Sequence, residues 1–204
     1  EWSFNEYLRT TGTADLEHLL SRKALVFRFL DSMYGAQEEG AQGFKLMYSQ
    51  ARFLPYRYPM LMRYFKERRV RIIHLIRENF LEILISREMA KSTGVAHSEE
   101  VLGNDRTVRI SIPLALITIS RLVRERDFWR RRLEHYETLE VSYERLLDDR
   151  QRTSKRLLQF LGVETEVELQ SPLKKIIRAP IREVVENYDE LAAALEAKGF
   201  GALL

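Results

Sequence analysis

The fold class is decided by the stretch VRIIHLIR, which occupies residues 70–77. β-Branched and other apolar residues fill this stretch and a charge ends it, so it predicts a central β-strand that is covered on both faces. Directly after it, Asn79 is placed to cap a helix over the apolar run that begins at Phe80 and stops near Gly94. A strand that leads into a helix within a few residues is half of a βαβ unit, so the sequence predicts an α/β fold.

Outside this unit, the sequence predicts further short strands and helices. The strands are expected at residues 43–48 and 138–143. A long helix is predicted from Pro113 to about Tyr136, and shorter ones over residues 152–161 and 181–198, each ended by a glycine. The long helix is predicted to bury Leu114, Ile117, Leu122, Phe128, Trp129 and Leu133. Together these elements predict a central parallel sheet flanked by helices, with a helix-rich C-terminal half.

Composition predicts one globular domain over residues 1–204 and removes several classes of function. The chain is 45% hydrophobic and 31% charged, with no cysteine and a net charge of +3. The lack of cysteine excludes disulfides, thiolate metal sites and a cysteine nucleophile, and it is typical of a cytoplasmic protein. The small basic excess favours an anionic ligand over nucleic acid. No apolar run reaches the ~20 residues of a transmembrane helix, and the histidines show no metal-ligand spacing.

Arg77 and Ser86 form the most informative local pattern. Arg77 ends the strong strand, and Ser86 follows nine residues later inside the next helix. Ligands of open α/β sheets bind outside the carboxyl ends of the strands, where an arginine can hold a phosphate through two parallel hydrogen bonds. The alternative is an arginine paired with a surface carboxylate and a serine bonded to its own helix backbone. Spacing alone leaves both interpretations open.

Several segments of the chain together carry a family resemblance. They are GFKLMYSQ at residues 43–50, HLIRENFLE at 74–82, TGVAHS at 93–98, VSYERLL at 141–147, LGV at 161–163, and Pro180-Ile181 leading to NYDEL at 187–191. In that order and spacing the sequence resembles the bacterial carbohydrate sulfotransferases, the group that contains the trehalose and nodulation-factor enzymes. The resemblance covers nearly the whole chain.

The resemblance implies a P-loop-type α/β fold that binds 3′-phosphoadenosine 5′-phosphosulfate. It also implies transfer of the sulfuryl group to a hydroxyl of a small-molecule or glycan acceptor. In the family, the arginine and serine at the positions of Arg77 and Ser86 bind the 3′-phosphate. Family members often carry two successive basic residues here, whereas this chain has Arg77-Glu78, and a contact at the second position would repel the phosphate.

The resemblance extends to the remaining site residues. It places Glu1 on the catalytic base, with an exposed terminal residue as the alternative. It also places the basic loop that holds the 5′-phosphosulfate upstream of residue 1, so that the chain is expected to lack the first strand and this loop. Residues 9–13 look like such a loop but follow no buried strand, and they are interpreted as a turn. Further candidates are Lys45, Lys174 and Lys175 beside the cofactor or simply solvated, Tyr143 at the adenine or in packing, and His97 facing the acceptor.

Two other functions stay open at this point. One is a non-catalytic, sulfotransferase-like module for binding or assembly. The other is a nucleotide kinase, which needs a Gly-x-x-x-x-Gly-Lys-Ser/Thr loop that this sequence lacks. The identity of the acceptor and the oligomeric state, including a homo-oligomer, are not readable, because acceptor pockets are formed by variable loops.

Overall fold

The computed structural model describes part of the chain, namely residues 27–28, 30–32, 40–48, 58–93, 107–166 and 179–204. Its elements are α1 (Tyr58–Glu67), β1 (Ile72–Ile76), α2 (Phe80–Thr93), α3 (Ile112–Leu133), β2 (Thr138–Ser142), α4 (Tyr143–Asp148), α5 (Arg150–Leu161), α6 (Ile181–Val184), α7 (Tyr188–Ala197) and a final 3-10 turn (Gly201–Leu203). The predicted α/β class with a helix-rich C-terminal half is confirmed.

The predicted strand-to-helix unit is present as β1 and α2. The side chain of Asn79 caps α2, because its Oδ1 accepts a hydrogen bond of 3.1 Å from the backbone N–H of Glu82. An amide oxygen at this position satisfies one of the donors that the first helical turn leaves without a partner. β1 pairs with β2 in a two-stranded parallel sheet. The sequence pattern therefore located both the strand and the start of the helix.

Two predictions about strands are wrong. β1 is not covered on both faces: His74 and Ile76 are buried, whereas Ile73 and Leu75 are exposed, Leu75 to 54%. Successive side chains of a strand point to opposite faces, and only one face of β1 is buried. Residues 43–48 also form no strand. A strand requires a hydrogen-bonded neighbour, and among the described residues the sheet consists of β1 and β2 alone.

The predicted long helix is present as α3, but its buried face differs from the expected one. Leu133 is buried as predicted, whereas Leu114, Ile117 and Phe128 are exposed. The buried positions in the first half of the helix are Ala115, Thr118 and Ile119. The first turns of α3 are apolar on every side, so periodicity alone could not select the correct face.

The predicted helix over residues 181–198 is broken into α6 and α7. Val185 leaves the helix and pairs with Val108 in an isolated parallel bridge, in which the N–H of Val108 donates to Val184 O over 2.9 Å. Asn187 then fixes the turn, since its buried amide both accepts from and donates to the backbone of Ile110 at 2.9 Å. Tertiary pairing therefore overrides the helical pattern. The ends predicted at Gly162 and Gly199 are confirmed, and both glycines have positive φ.

The chain divides into two compact units. The first contains residues 1–73, 133–139 and 155–166, and the second contains residues 74–132, 140–154 and 167–204. The main apolar core lies in the second unit, where α2 and α3 pack with the bridge at Val108 and with α7. None of the described helices is both long and apolar enough to cross a membrane. The single-domain interpretation stays a prediction.

Candidate functional site

The candidate site lies where β1 and β2 end. Arg77 is the first residue after β1, and Tyr143 is the first residue after β2. Because parallel strands present their carboxyl ends at one edge of a sheet, these two side chains come together. We call Arg77, Glu78, Asn79, Tyr143 and Glu144 the strand-end site. All of them belong to the second compact unit.

Arg77 stacks on the ring of Tyr143. The guanidinium carbon of Arg77 lies 3.9 Å from the ring centroid, which is direct contact between a cation and an aromatic face. Both side chains are half-buried. Among the described residues, no carboxylate forms an ion pair with Arg77. A guanidinium has five N–H donors, so contact with the ring is compatible with hydrogen bonds from Arg77 to an anionic ligand.

The carboxylate of Glu144 occupies the backbone donors at the start of α2. Its Oε2 accepts from the N–H of Glu78 at 3.0 Å, and its Oε1 accepts from the N–H of Asn79 at 3.3 Å. An acidic side chain is stabilised at a helix N-terminus, where the backbone donors and the helix dipole are positive. An anion at this edge of the sheet would therefore bind to the Arg77 side chain, because the N–H groups of Glu78 and Asn79 already donate to Glu144.

Ser142 determines how Tyr143 and Glu144 are presented. Ser142 is buried, and its hydroxyl accepts a hydrogen bond of 3.3 Å from the N–H of Arg145. This contact caps α4, whose first two residues are Tyr143 and Glu144. The sequence Ser-Tyr-Glu therefore ends the strand, starts the short helix and places both side chains at the strand-end site.

The structure describes two further predicted site residues, Ser86 and Lys45. Ser86 is half-buried and lies about 9 Å along α2 from Phe80, given the helical rise of about 1.5 Å per residue. Lys45 is exposed and belongs to the first compact unit. Glu1, His97, Lys174 and Lys175 lie outside the described residues.

A second polar cluster, which the sequence did not predict as a unit, joins β1, β2 and α3. His74 is 5% exposed, and its Nδ1 lies 3.0 Å from Oε2 of Glu140. Glu140 also accepts hydrogen bonds from Arg130, at 2.8 Å from Nε and 2.7 Å from Nη2. A carboxylate only accepts, so Nδ1 of His74 carries the proton and donates it. His74 is thus a hydrogen-bonded residue of the core.

Burial and charge set the protonation of this cluster. Burial lowers the pKa of His74 below its ordinary value, Glu140 opposes that shift, and Arg130 adds to it. The hydrogen bonds and charge of Arg130 lower the pKa of Glu140. His74 is therefore neutral and Glu140 ionised near neutral pH. The sequence signal that could have indicated this cluster was an acidic residue, Glu140, on the strand that pairs with the strand of His74.

The protein is expected to lose stability as the pH falls from about 7.5 to 5.5, partly through His74. The folded-state pKa of His74 lies below the ordinary value of 6.5, so the unfolded chain binds the proton first as the pH falls through that value. Urea unfolding across this pH range measures the effect. His74→Asn is the matched control, because its amide can still donate to Glu140 but does not titrate. Identical pH dependence in both proteins would contradict the assignment.

Comparison with known proteins gives one finding on the family. A sequence model of the sulfotransferase domain matches residues 8–190. The match covers most of the chain, including every described residue of the strand-end site. No curated protein and no solved structure gives a significant match. Among the described residues, no group of His, Cys, Asp or Glu side chains could hold a metal ion.

Proposed function

The chain belongs to the sulfotransferase domain family and is therefore an enzyme of sulfuryl transfer with a P-loop-type fold. On this premise we propose that its donor is 3′-phosphoadenosine 5′-phosphosulfate. We further propose that its acceptor is a hydroxyl of a carbohydrate or a related metabolite, as in the bacterial carbohydrate-type members. The donor belongs to the chemistry of the family in general, and the acceptor class rests on the resemblance of the sequence.

One observation carries the assignment of the donor, namely the position of Arg77. This cation follows the carboxyl end of a parallel strand and is held there by contact with the Tyr143 ring. A 3′-phosphate suits such a cation, because two of its oxygens can accept two parallel hydrogen bonds from one guanidinium. Ser86 is proposed to donate a further hydrogen bond to the same phosphate from α2.

The donor supplies an activated sulfuryl group, whose bond to the 5′-phosphate breaks as the new sulfur–oxygen bond forms. In this proposal Arg77 and Ser86 bind the 3′-phosphate and thereby fix the donor against the acceptor. Glu1 acts as the general base that takes the proton of the acceptor hydroxyl. Lys45, Lys174 and Lys175 offset the charge that develops on the leaving phosphate, and His97 orients the acceptor.

A transfer assay tests the proposed function. The intact protein is incubated with the radiolabelled phosphosulfate donor and a panel of mono-, di- and oligosaccharides. We expect label to appear in one class of acceptor, and Glu1→Gln to abolish this transfer while leaving nucleotide binding largely intact. Nucleotide binding without transfer to any acceptor would favour a non-catalytic module, and transfer of the γ-phosphate of ATP would favour a kinase. Either result would contradict the proposal.

A further inference from the structure

We propose that Tyr143 and Glu144 are positioning residues that hold Arg77 in its phosphate-binding orientation. This inference rests on the proposed function, since it concerns the residue that binds the 3′-phosphate. It assigns to Tyr143 a role different from contact with adenine, and it gives Glu144 a role that the sequence did not reveal. We call the two contacts described next the strand-end clamp.

The first contact of the strand-end clamp fixes the side chain of Arg77. An arginine side chain has four rotatable bonds, and ordering it for a ligand has an entropic cost. Contact with the Tyr143 ring at 3.9 Å orders the Arg77 side chain before a ligand binds, so the entropic cost of binding is smaller. The ring attracts the charge of the guanidinium, whereas a phosphate accepts hydrogen bonds from its N–H donors, so one guanidinium can make both contacts.

The second contact fixes the backbone that follows Arg77. Glu144 accepts one hydrogen bond from each of Glu78 and Asn79, at 3.0 and 3.3 Å. These hydrogen bonds join the loop after β1 to the first turn of α4, next to the ring on which Arg77 stacks. They also direct the negative charge of Glu144 at the positive N-terminus of α2, which reduces its repulsion of a nearby phosphate.

Two nucleotides distinguish positioning of Arg77 from contact with adenine. Both 3′-phosphoadenosine 5′-phosphate and adenosine 5′-phosphate contain adenine, and the first alone carries the 3′-phosphate. If Tyr143 acts through Arg77, loss of the Tyr143 ring weakens the binding of 3′-phosphoadenosine 5′-phosphate and leaves the binding of adenosine 5′-phosphate unchanged. If Tyr143 instead stacks on adenine, its loss weakens both to a similar extent.

The experiment is calorimetric titration of the intact protein and its variants with both nucleotides. We expect Tyr143→Leu to lower the affinity for 3′-phosphoadenosine 5′-phosphate about tenfold, which is the range of a partly buried cation–aromatic contact. The affinity for adenosine 5′-phosphate is expected to stay nearly unchanged. Tyr143→Phe keeps the ring and is expected to restore the affinity. Glu144→Gln is expected to lower the affinity for the bisphosphate, 3′-phosphoadenosine 5′-phosphate, about threefold, because a neutral acceptor binds the two N–H groups less strongly. It also tests the clamp if Tyr143→Leu does not fold.

A matched control and a double mutant complete the design. Tyr188→Leu removes a tyrosine ring from a similar contact, with Arg182 at 5.5 Å, and is expected to leave both affinities unchanged. In an Arg77→Ala background, Tyr143→Leu is expected to cause no further loss, because the residue through which it acts is gone. Additive losses would overturn the proposed clamp.

The outcomes separate the clamp from the proposed function. The clamp is overturned if Tyr143→Leu lowers the affinity for both nucleotides equally, or for neither. In that case, a wild-type preference for the bisphosphate still supports the proposed function. A wild-type protein with no preference between the two nucleotides overturns both.

Discussion

Arg77→Ala is expected to lower the affinity for 3′-phosphoadenosine 5′-phosphate by about two orders of magnitude, in the range found when one partner of a charge-assisted pair is removed. The variant loses a cation whose side chain is already ordered on Tyr143, at the edge of the sheet where a ligand binds. The backbone N–H groups of Glu78 and Asn79 already donate to Glu144, so these two groups do not replace the lost contact.

The matched variant is Arg77→Lys, which keeps the charge but not the planar pair of donors. It is expected to bind the bisphosphate about tenfold more weakly than the wild type and about tenfold more tightly than Arg77→Ala, since a point charge attracts a phosphate without binding it bidentately. Titration with adenosine 5′-phosphate checks the specificity of the loss, and its affinity is expected to change little in either variant. If Arg77→Ala binds the bisphosphate as tightly as the wild type does, Arg77 is not the phosphate ligand.

The second large effect is expected in the core. Ile119→Ala is expected to lower the free energy of unfolding by about 2–5 kcal/mol, because it removes buried methyl groups and leaves a cavity. Ile119 is 0% exposed and lies in the cluster formed by α2, α3 and α7. Urea unfolding followed by circular dichroism measures the change.

Ile117→Ala is the matched control for this substitution, with the same chemical change two residues away on α3. Ile117 is 66% exposed, so its loss is expected to change the free energy of unfolding by no more than about 0.5 kcal/mol. Alanine is also the better helix former, which offsets part of any loss. Equal destabilisation by both substitutions, or a larger effect at Ile117, would contradict the observed orientation of α3.

Local signals in the sequence were sufficient for the elements that depend on short-range chemistry. The β-branched run of β1, the cap at Asn79 and the glycines after α5 and α7 all predicted boundaries that the structure confirms. These features act within a few residues, through side-chain branching, one hydrogen bond or a left-handed backbone.

The predictions that failed depend on partners distant in sequence. Residues 43–48 have the composition of a strand, but composition supplies no pairing neighbour. The helix predicted over residues 181–198 breaks because Val185 pairs with Val108, which lies 77 residues earlier in the chain. The buried face of α3 was misassigned, because both Ile117 and Ile119 fit an apolar stripe.

The candidate site was predicted in part. Arg77 and Tyr143 were each identified from their positions at strand ends, and the structure brings them into contact. The role of Glu144 was not predicted, since its partners are backbone N–H groups that no sequence pattern displays. The roles of Glu1, Ser86, Lys45, His97, Lys174 and Lys175 stay predictions.

The most direct test of the central claim is the preference of the wild-type protein for a 3′-phosphate. Calorimetric titration with 3′-phosphoadenosine 5′-phosphate and with adenosine 5′-phosphate compares two ligands that differ only in that group. A donor site built around Arg77 predicts that the bisphosphate binds about a hundredfold more tightly, as expected for a bidentate charge-assisted pair. Equal affinity for the two nucleotides, or no binding of either, would contradict the account.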